Sequence, residues 1–418
     1  MTSGGDPLRR LRRHVIDTAP LREFREFRLL WIGQSVSNLG NRVTQVALAF
    51  QVYQLTGSSL AVGLLALARV VPLLACSLLG GAIADAVDRR RWLLWAQTAA
   101  AAGSLALAVN TFASPRLWAI YALTAALSAV RALYSPGLGS LVPLLVPRAQ
   151  LPAALALNTV YGTAAALVGP VLGGVLITRL GVGGAYLVDV GTYTAALAAL
   201  AAMAPVPPVR GTPPPGLGSI REALRFLKGR PVLQSTFLVD LNAMVFGMPT
   251  SLFPALAARV GGGAQVLGLL YAAPYAGALL ASLMSGGVGR VRRQGRAVMV
   301  AVVMWGAAIA AFGFARSLWV MAVLLVLAGA ADFVSAVFRD TIAQAVVPDA
   351  MRGRLSGMEE AVVASGPELG DIEAGVVASL VSIPFSIVSG GLACIVGVAA
   401  LALAVPEFHR YDTQHPTP

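Results

Sequence analysis

The chain has 418 residues, of which 57% are hydrophobic and 12% charged, with a mean hydropathy of +0.75. Soluble domains carry about 25% charged residues, so this composition excludes a soluble globular protein and points to a chain that crosses the bilayer many times. The net charge of +12 raises the question of a nucleic-acid ligand, but the placement of the basic residues, taken up below, answers it as membrane topology.

Residues 1–28 carry arginines but no apolar core before Pro20, so they read as a cytoplasmic tail and not as a cleaved signal. Twelve apolar segments can then be drawn, near 29–52, 58–82, 92–113, 117–143, 153–178, 183–203, 232–256, 265–287, 297–315, 317–341, 357–380 and 384–405. Each is long enough, at 1.5 Å per residue, for a hydrocarbon core of about 30 Å. The expected fold is therefore an all-α membrane protein of 12 transmembrane helices, with both termini cytoplasmic. On that topology only Arg116, Arg179, Arg259 and Arg316 fall outside, and Arg42, Arg69, Arg131 and Arg339 lie within helices. The remaining basic residues face the cytoplasm, as the positive-inside rule requires. Cys76 and Cys394 both fall in apolar segments and read as packing residues. The three histidines, His14, His409 and His415, lie in the tails, which excludes a histidine metal site or proton relay in the membrane.

Helix 1 supplies Gln34, Asn38 and Asn41, which are candidates to line a substrate cavity or to pack helices together. Between segments 2 and 3, Gly81, Asp85 and Arg89–Arg91 gather charge in a short loop, with glycines that let helices approach. Arg131 lies near the middle of helix 4. Helix 5 contains Gly169-Pro170-x-x-Gly173-Gly174, in which small residues permit close packing and proline bends the helix. Residues 29–204 form the first six-helix half. Residues 205–231 form a cytoplasmic linker, rich in proline and glycine, in which Ser219 to Glu222 reads as a capping box. It opens a short amphipathic helix expected on the inner membrane surface.

Residues 232–405 form the second half, followed by a cytoplasmic tail, 406–418. The halves echo each other. Val62-Gly63-Leu64-Leu65 returns as Leu267-Gly268-Leu269-Leu270, and Gly169-Pro170 returns as Gly366-Pro367. Such a duplication implies a substrate site near the midplane between the halves. Ionisable groups within the bilayer cost about 2.5–3.5 kcal/mol each on insertion scales, so each needs a reason to be there. Asp240, about nine residues into helix 7, suits reversible protonation or a carboxylate satisfied by neighbours such as Asn242, itself a cavity candidate. Arg131 maps onto Asp332 at an offset of 201, which predicts an interaction across the cavity, either coupling or static. In helix 11, Glu368 and Asp371 share a face as a proton or cationic-substrate site. Glu359 and Glu360 stand near the cytoplasmic end, where they can meet Arg89–Arg91.

The run from Gly81 to Arg91 resembles the helix 2–3 loop of the major facilitator superfamily, with Ile83 and Asp88 as departures. The glycines of helix 5 resemble the superfamily's antiporter motif, although Ala165 replaces its first glycine. Phe27-Arg28-Leu29-Leu30-Trp31-Ile32-Gly33-Gln34, Tyr53-Gln54-Leu55-Thr56-Gly57 and Asp240-Leu241-Asn242-Ala243 are similar to the bacterial subgroup of the enterobactin exporter and Tap-type multidrug pumps. The resemblance implies a monomeric inner-membrane exporter of an amphipathic small molecule such as a drug, secondary metabolite or siderophore. It implies alternating access, the exchange of substrate against protons, and a cytoplasmic latch at Gly81, Asp85, Arg89, Arg90 and Arg91. An importer or facilitator of the same fold, or a non-transporting sensor or scaffold, is the alternative. No phosphate-binding Gly-x-x-x-x-Gly-Lys loop is present, so energy must come from an ion or substrate gradient. No enzyme activity, cofactor, metal or nucleic-acid partner is expected.

Overall fold

The computed structural model describes residues 17–206, 217–285 and 291–412. The regular structure of these residues is helical, without a strand among them. The first half contains α1 (Arg25–Thr56), α2 (Ser59–Ala86), α3 (Arg89–Ala113) and α4 (Leu117–Leu145), followed by one long stretch, Leu151–Ala201. Gly181, at φ +73°, divides that stretch into α5 (151–180) and α6 (182–201). Glycine adopts this backbone region without the Cβ penalty. The second half contains α7 (Pro231–Gly247), α8 (Gly263–Leu283), α9 (Gln294–Phe314), α10 (Leu318–Val346), α11 (Asp349–Leu380) and α12 (Ile383–Ala404).

Among the described residues, nine segments are long and apolar enough to cross a membrane, and Arg148–Ala201 holds two crossings. The remaining two crossings, α1 and α11, are more polar because they carry residues such as Asn41 and Arg42, or Glu359 and Glu368. The architecture is thus twelve transmembrane helices in two related halves. Between the halves a helix covers Leu217–Leu227, and Arg354 of α11 holds it through Glu222 at 2.8 Å.

Prolines interrupt related helices at related places, Pro72 in α2 and Pro274 in α8, then Pro170 in α5 and Pro367 in α11. Each removes a helical hydrogen bond and bends its helix. Helix α7 stops at Gly247 and resumes through Thr250–Leu252 into Phe253–Arg259. Trp118 and Trp319, at the starts of α4 and α10, are exposed as an interfacial belt requires. Trp31 and Trp92 instead turn inward and donate to the carbonyls of Leu157 and Leu133.

The halves meet along α2 with α11 and α5 with α8. These pairs approach closely because glycine faces backbone. A Cβ built on Gly174 would lie 2.5 Å from the carbonyl of Ala264, one on Gly63 would lie 2.7 Å from that of Asp371, and one on Gly268 would collide with that of Pro170. These contacts lie near the first turns of α2 and α8 and the last turns of α5 and α11, at the end of the molecule away from the linker. Toward the linker end the same helices separate. Thr159 and Val160 of α5 and Gly357, Glu360 and Ala361 of α11 are exposed there, and Gly139, Gly162, Gly353 and Gly357 have open space where a Cβ would stand.

Candidate functional site

At mid-depth on the seam, Arg69 of α2 reaches Glu368 of α11, Nη1 to Oε1, at 3.4 Å. The Arg69 backbone is fixed by Ser128 of α4, whose hydroxyl donates to the Arg69 carbonyl at 2.6 Å. Asp371, one turn along α11, is held differently. Its carboxylate accepts from Thr250 Oγ1 at 2.7 Å and from the Ser251 amide at 2.6 Å. The break in α7 therefore supplies donors that a continuous helix would keep for itself. Glu368 bonds the opposite half and Asp371 its own, although the two lie three residues apart on one helix. Close by, Arg42 of α1 lies over the ring of Tyr275 of α8, with Cζ 5.9 Å from the centroid. Such a stacked guanidinium joins the halves without a carboxylate.

In the second half, Asp240 and Arg339 are both buried and form an ion pair at 2.6 Å between α7 and α10. Arg339 also donates to Ser335 Oγ at 2.8 Å. The pair lines a cavity of about 390 Å³ with Asp340, Arg352 and Glu359. Sequence alone leaves Asp240 without a cation because its partner lies far along the chain.

In the first half, Arg131 is exposed on the wall of a narrow pocket of about 80 Å³, beside Tyr134, Tyr193 and Asn41. The pocket ends on Asp189 of α6, a fully buried acid that the motif analysis missed. Thr44 Oγ1 and Ser104 Oγ each donate to Asp189 Oδ2 at 2.7 Å, and Thr192 Oγ1, 2.7 Å from the Asp189 carbonyl, also lies 3.2 Å from Oδ1 and can donate to either. Its sequence signal is a lone charge in an apolar run, Leu187-Val188-Asp189-Val190.

Several sequence expectations need correction. Arg131 and Asp332 do not meet. Arg131 faces the first-half pocket, whereas Asp332 lies in the field of Arg339. An offset between repeats matches depth along two helices but not the direction a side chain takes. Arg339, two turns beyond Asp332 on the same face, supplies a cation within the same half. Asn242 does not line a cavity between the halves, because its amide donates to the Cys394 carbonyl of α12 at 2.9 Å. Gln34 is likewise committed to packing, accepting from Gln97 of α3 at 3.5 Å. Asn38 and Asn41 are half-buried on α1.

The contact between the basic loop and α11 is also absent from this conformation. Glu359 shares the second-half cavity with Asp340 and Arg339, Glu360 is exposed, and among the described residues neither forms an ion pair with Arg90 or Arg91. Arg90 instead donates to the carbonyls of Leu200 and Ala201 at 2.8 and 2.6 Å, capping the end of α6. Asp88 caps α3 by accepting from the Arg91 amide at 2.8 Å. Gly81 and Asp85 belong to the last turns of α2, and their side-chain surroundings lie outside the described residues. The physical reason for the missing contact is the separation of the halves at that end. In α5, Gly169 and Gly173 face α1 at Arg42 and Val43, Gly174 faces α8, and the carbonyl of Pro170 meets Gly268. This motif therefore touches both halves. Among the described residues no group of three or more His, Cys, Asp or Glu is placed to hold a metal.

Comparison with known proteins places this geometry in context. The family described as transmembrane secretion effectors matches residues 16–417. The enterobactin exporter EntS of Citrobacter koseri is 29% identical over 408 residues, covering 97% of each chain. That of Escherichia coli O81 is 27% identical over 405 residues, covering 96% of this chain and 97% of the relative. Among solved structures, a POT family transporter bound to 5-aminolevulinic acid superposes with a TM-score of 0.72 at 11% identity, over 92% of this chain and 97% of that one. An inward-facing bacterial homolog of the lysosomal transporter Spinster gives 0.70 at 15% identity, over 93% and 96%. The nucleoside transporter NupG gives 0.68 at 13%, over 93% and 100%.

Proposed function

The chain belongs to the transmembrane secretion effector family of major facilitator transporters, and from that premise we propose that it exports an amphipathic small molecule from the cell by alternating access, in exchange for protons. It is a multi-pass secondary transporter and not an enzyme. The observation that carries the proposal is the seam. The halves are joined at the far end by glycine contacts of α2 with α11 and α5 with α8, and separated at the linker end. A rocking motion about such a seam exposes a midplane site to one side at a time.

The linker end is then the cytoplasmic end, as the placement of basic residues favours, and the present conformation takes up substrate from inside. Arg69, Glu368, Asp371 and Arg131 stand where a substrate and a proton can compete. When the protein turns outward the seam contacts break, and the arginines of the loop after α2 approach α11 near Glu359 and Glu360 as the latch of that state. The similarity to enterobactin exporters supports a siderophore or related metabolite as the substrate class, and the tyrosines and arginines around the first-half pocket fit an amphipathic one.

The test uses inverted membrane vesicles loaded with a pH-reporting dye, with enterobactin and ethidium as probes. Probe-dependent release of protons from vesicles containing the full chain, absent from vesicles without it, is the expected result. Probe movement that leaves internal pH unchanged would remove antiport, and no movement of either probe would remove both proposed substrate types.

A further inference from the structure

Asp240 and Glu368 each share an ion pair with an arginine, whose charge favours the ionised form of its partner. Asp189 is in a different position. It is fully buried, and among the described residues no arginine or lysine lies within ion-pair distance of it. Its shell consists of hydroxyls from α1, α3 and α6, namely Thr44, Ser104 and Thr192. A hydroxyl both donates and accepts. The same three groups can donate to an ionised carboxylate or turn one oxygen to accept the O–H of a neutral one. No buried polar atom is stranded in either state, so the shell tolerates a change of charge that a guanidinium does not. Gly40 provides the space for it, since a Cβ there would strike both Thr192 Oγ1 and Asp189 Oδ1.

Protons need a route, and the pocket of about 80 Å³ provides one. At about 30 Å³ for each water, it holds roughly two. Its walls run from Asp189 past Ser104 and Thr124 to Arg69 and Arg131, which face the region between the halves. The Thr124 hydroxyl, on a residue only 3% exposed, has no protein partner and is placed to bind such a water. The titratable and charged groups around Asp189 are Tyr186 and Tyr193, a turn to either side on α6. Across the pocket stand Arg131 and Tyr134 of α4 and Arg69 of α2. Helices α1 and α3 meet it through hydroxyls.

We infer that Asp189 is a reversible proton-binding site, loaded through this pocket, and that it carries a proton in the transport cycle. The second clause rests on the antiport reading above. Binding is the transfer of one proton from pocket water to Asp189 Oδ, and release is the reverse. Arg131 and Arg69 line the pocket, where their positive charge favours the ionised form of a nearby carboxylate and so its release of the proton.

Infrared difference spectra of the full-length protein in lipid micelles, recorded on acidification, test the site without any substrate. The expected result is a C=O stretching band of a protonated carboxyl that is lost in Asp189→Asn and returns, displaced in frequency, in Asp189→Glu. A band unchanged in Asp189→Asn overturns the site, and so does a spectrum that responds to sodium but not to pH. If Asp189→Asn does not assemble, Thr44→Val and Ser104→Ala must each displace the band, and an unmoved band is equally fatal. Proteoliposomes with the enterobactin and ethidium probes then test the role in transport. Probe-driven proton movement should fall about tenfold or more in Asp189→Asn, while probe-for-probe exchange continues. Proton movement equal to the wild type overturns the carrier role. A wild-type protein that shows the titrating band but moves no protons defeats the antiport reading and leaves the site standing.

Discussion

Each half of this transporter buries a carboxylate between its helices, and the two are kept in opposite ways. Asp240 of α7 meets the guanidinium of Arg339 at 2.6 Å. Asp189 of α6 meets three hydroxyls and, among the described residues, no cation at ion-pair distance. A buried ion pair balances two desolvation penalties against one strong attraction, and removing either partner leaves an uncompensated charge. A carboxylate among hydroxyls has no such dependence on a single partner. The internal duplication thus repeated the helices without repeating the electrostatics. One half balances its acid against a cation, and the other surrounds its acid with hydroxyls that can both donate and accept.

The comparison breaks most sharply at Arg339. Arg339→Ala should destabilise the folded protein by about 3–5 kcal/mol, because it strands Asp240 in the interior. Arg339→Ala with Asp240→Asn should recover much of that loss. Asp189→Asn should cost less, about 1–3 kcal/mol, since an amide oxygen still accepts from two of the hydroxyls and only one bonding position is mismatched. Denaturant unfolding in detergent followed by tryptophan fluorescence gives the ranking. If Asp189→Asn proved the more damaging, the two acids would not differ in the way described.

How far this contrast is visible in the chain alone depends on what kind of information each residue needs. The twelve crossings are legible because an apolar run of sufficient length has one low-cost solution in a bilayer. Arg339 and Asp240 are each recognisable as charges within apolar segments, but their pairing is not, because 99 positions separate them and the approach of α7 to α10 sets it. The expected Arg131–Asp332 contact failed for the same reason. Repeat symmetry gives the depth of a side chain and leaves its azimuth open. Asp189 is a different case. The cost of a lone acid in an apolar run marks it directly, whereas its shell of Thr44, Ser104 and Thr192 comes from three helices and belongs to the fold.

The seam carries an intermediate kind of pair, and it sharpens the contrast. Arg69 and Glu368 are about one-fifth to one-third exposed at the side chain and lie 3.4 Å apart. Glu368→Gln should therefore cost between the exposed and the fully buried limits, about 1–3 kcal/mol. That cost falls on the closed seam, where these residues join the halves at mid-depth, more than on folding as a whole. Each 1.4 kcal/mol moves the balance between conformations about tenfold. Spin labels at Thr56→Cys and Ser379→Cys, with Cys76 and Cys394 replaced by alanine, report the far-end distance between halves. A population with the longer distance should grow in Glu368→Gln. An unchanged distribution would mean that the glycine contacts hold the seam and the ion pair adds nothing to it.

The smallest effect is expected at Arg354, which pairs with Glu222 of the linker helix at 2.8 Å with both side chains widely exposed. Exposed pairs contribute about 0–1 kcal/mol and are screened by salt. Arg354→Ala should consequently leave the unfolding midpoint almost unmoved, and any change should vanish at high ionic strength. The distance of this pair is close to that of Asp240 and Arg339, so the three arginines, Arg339, Arg69 and Arg354, form a series in which contact length is a poor guide and exposure is a good one. Denaturant midpoints of the three variants at low and high salt decide the matter. If Arg354→Ala fell as far as Arg339→Ala, water would not be screening the linker pair. Leu227 already packs the end of the linker helix against Leu233, Val347 and Leu355, and the ion pair would then fasten its charged face as firmly.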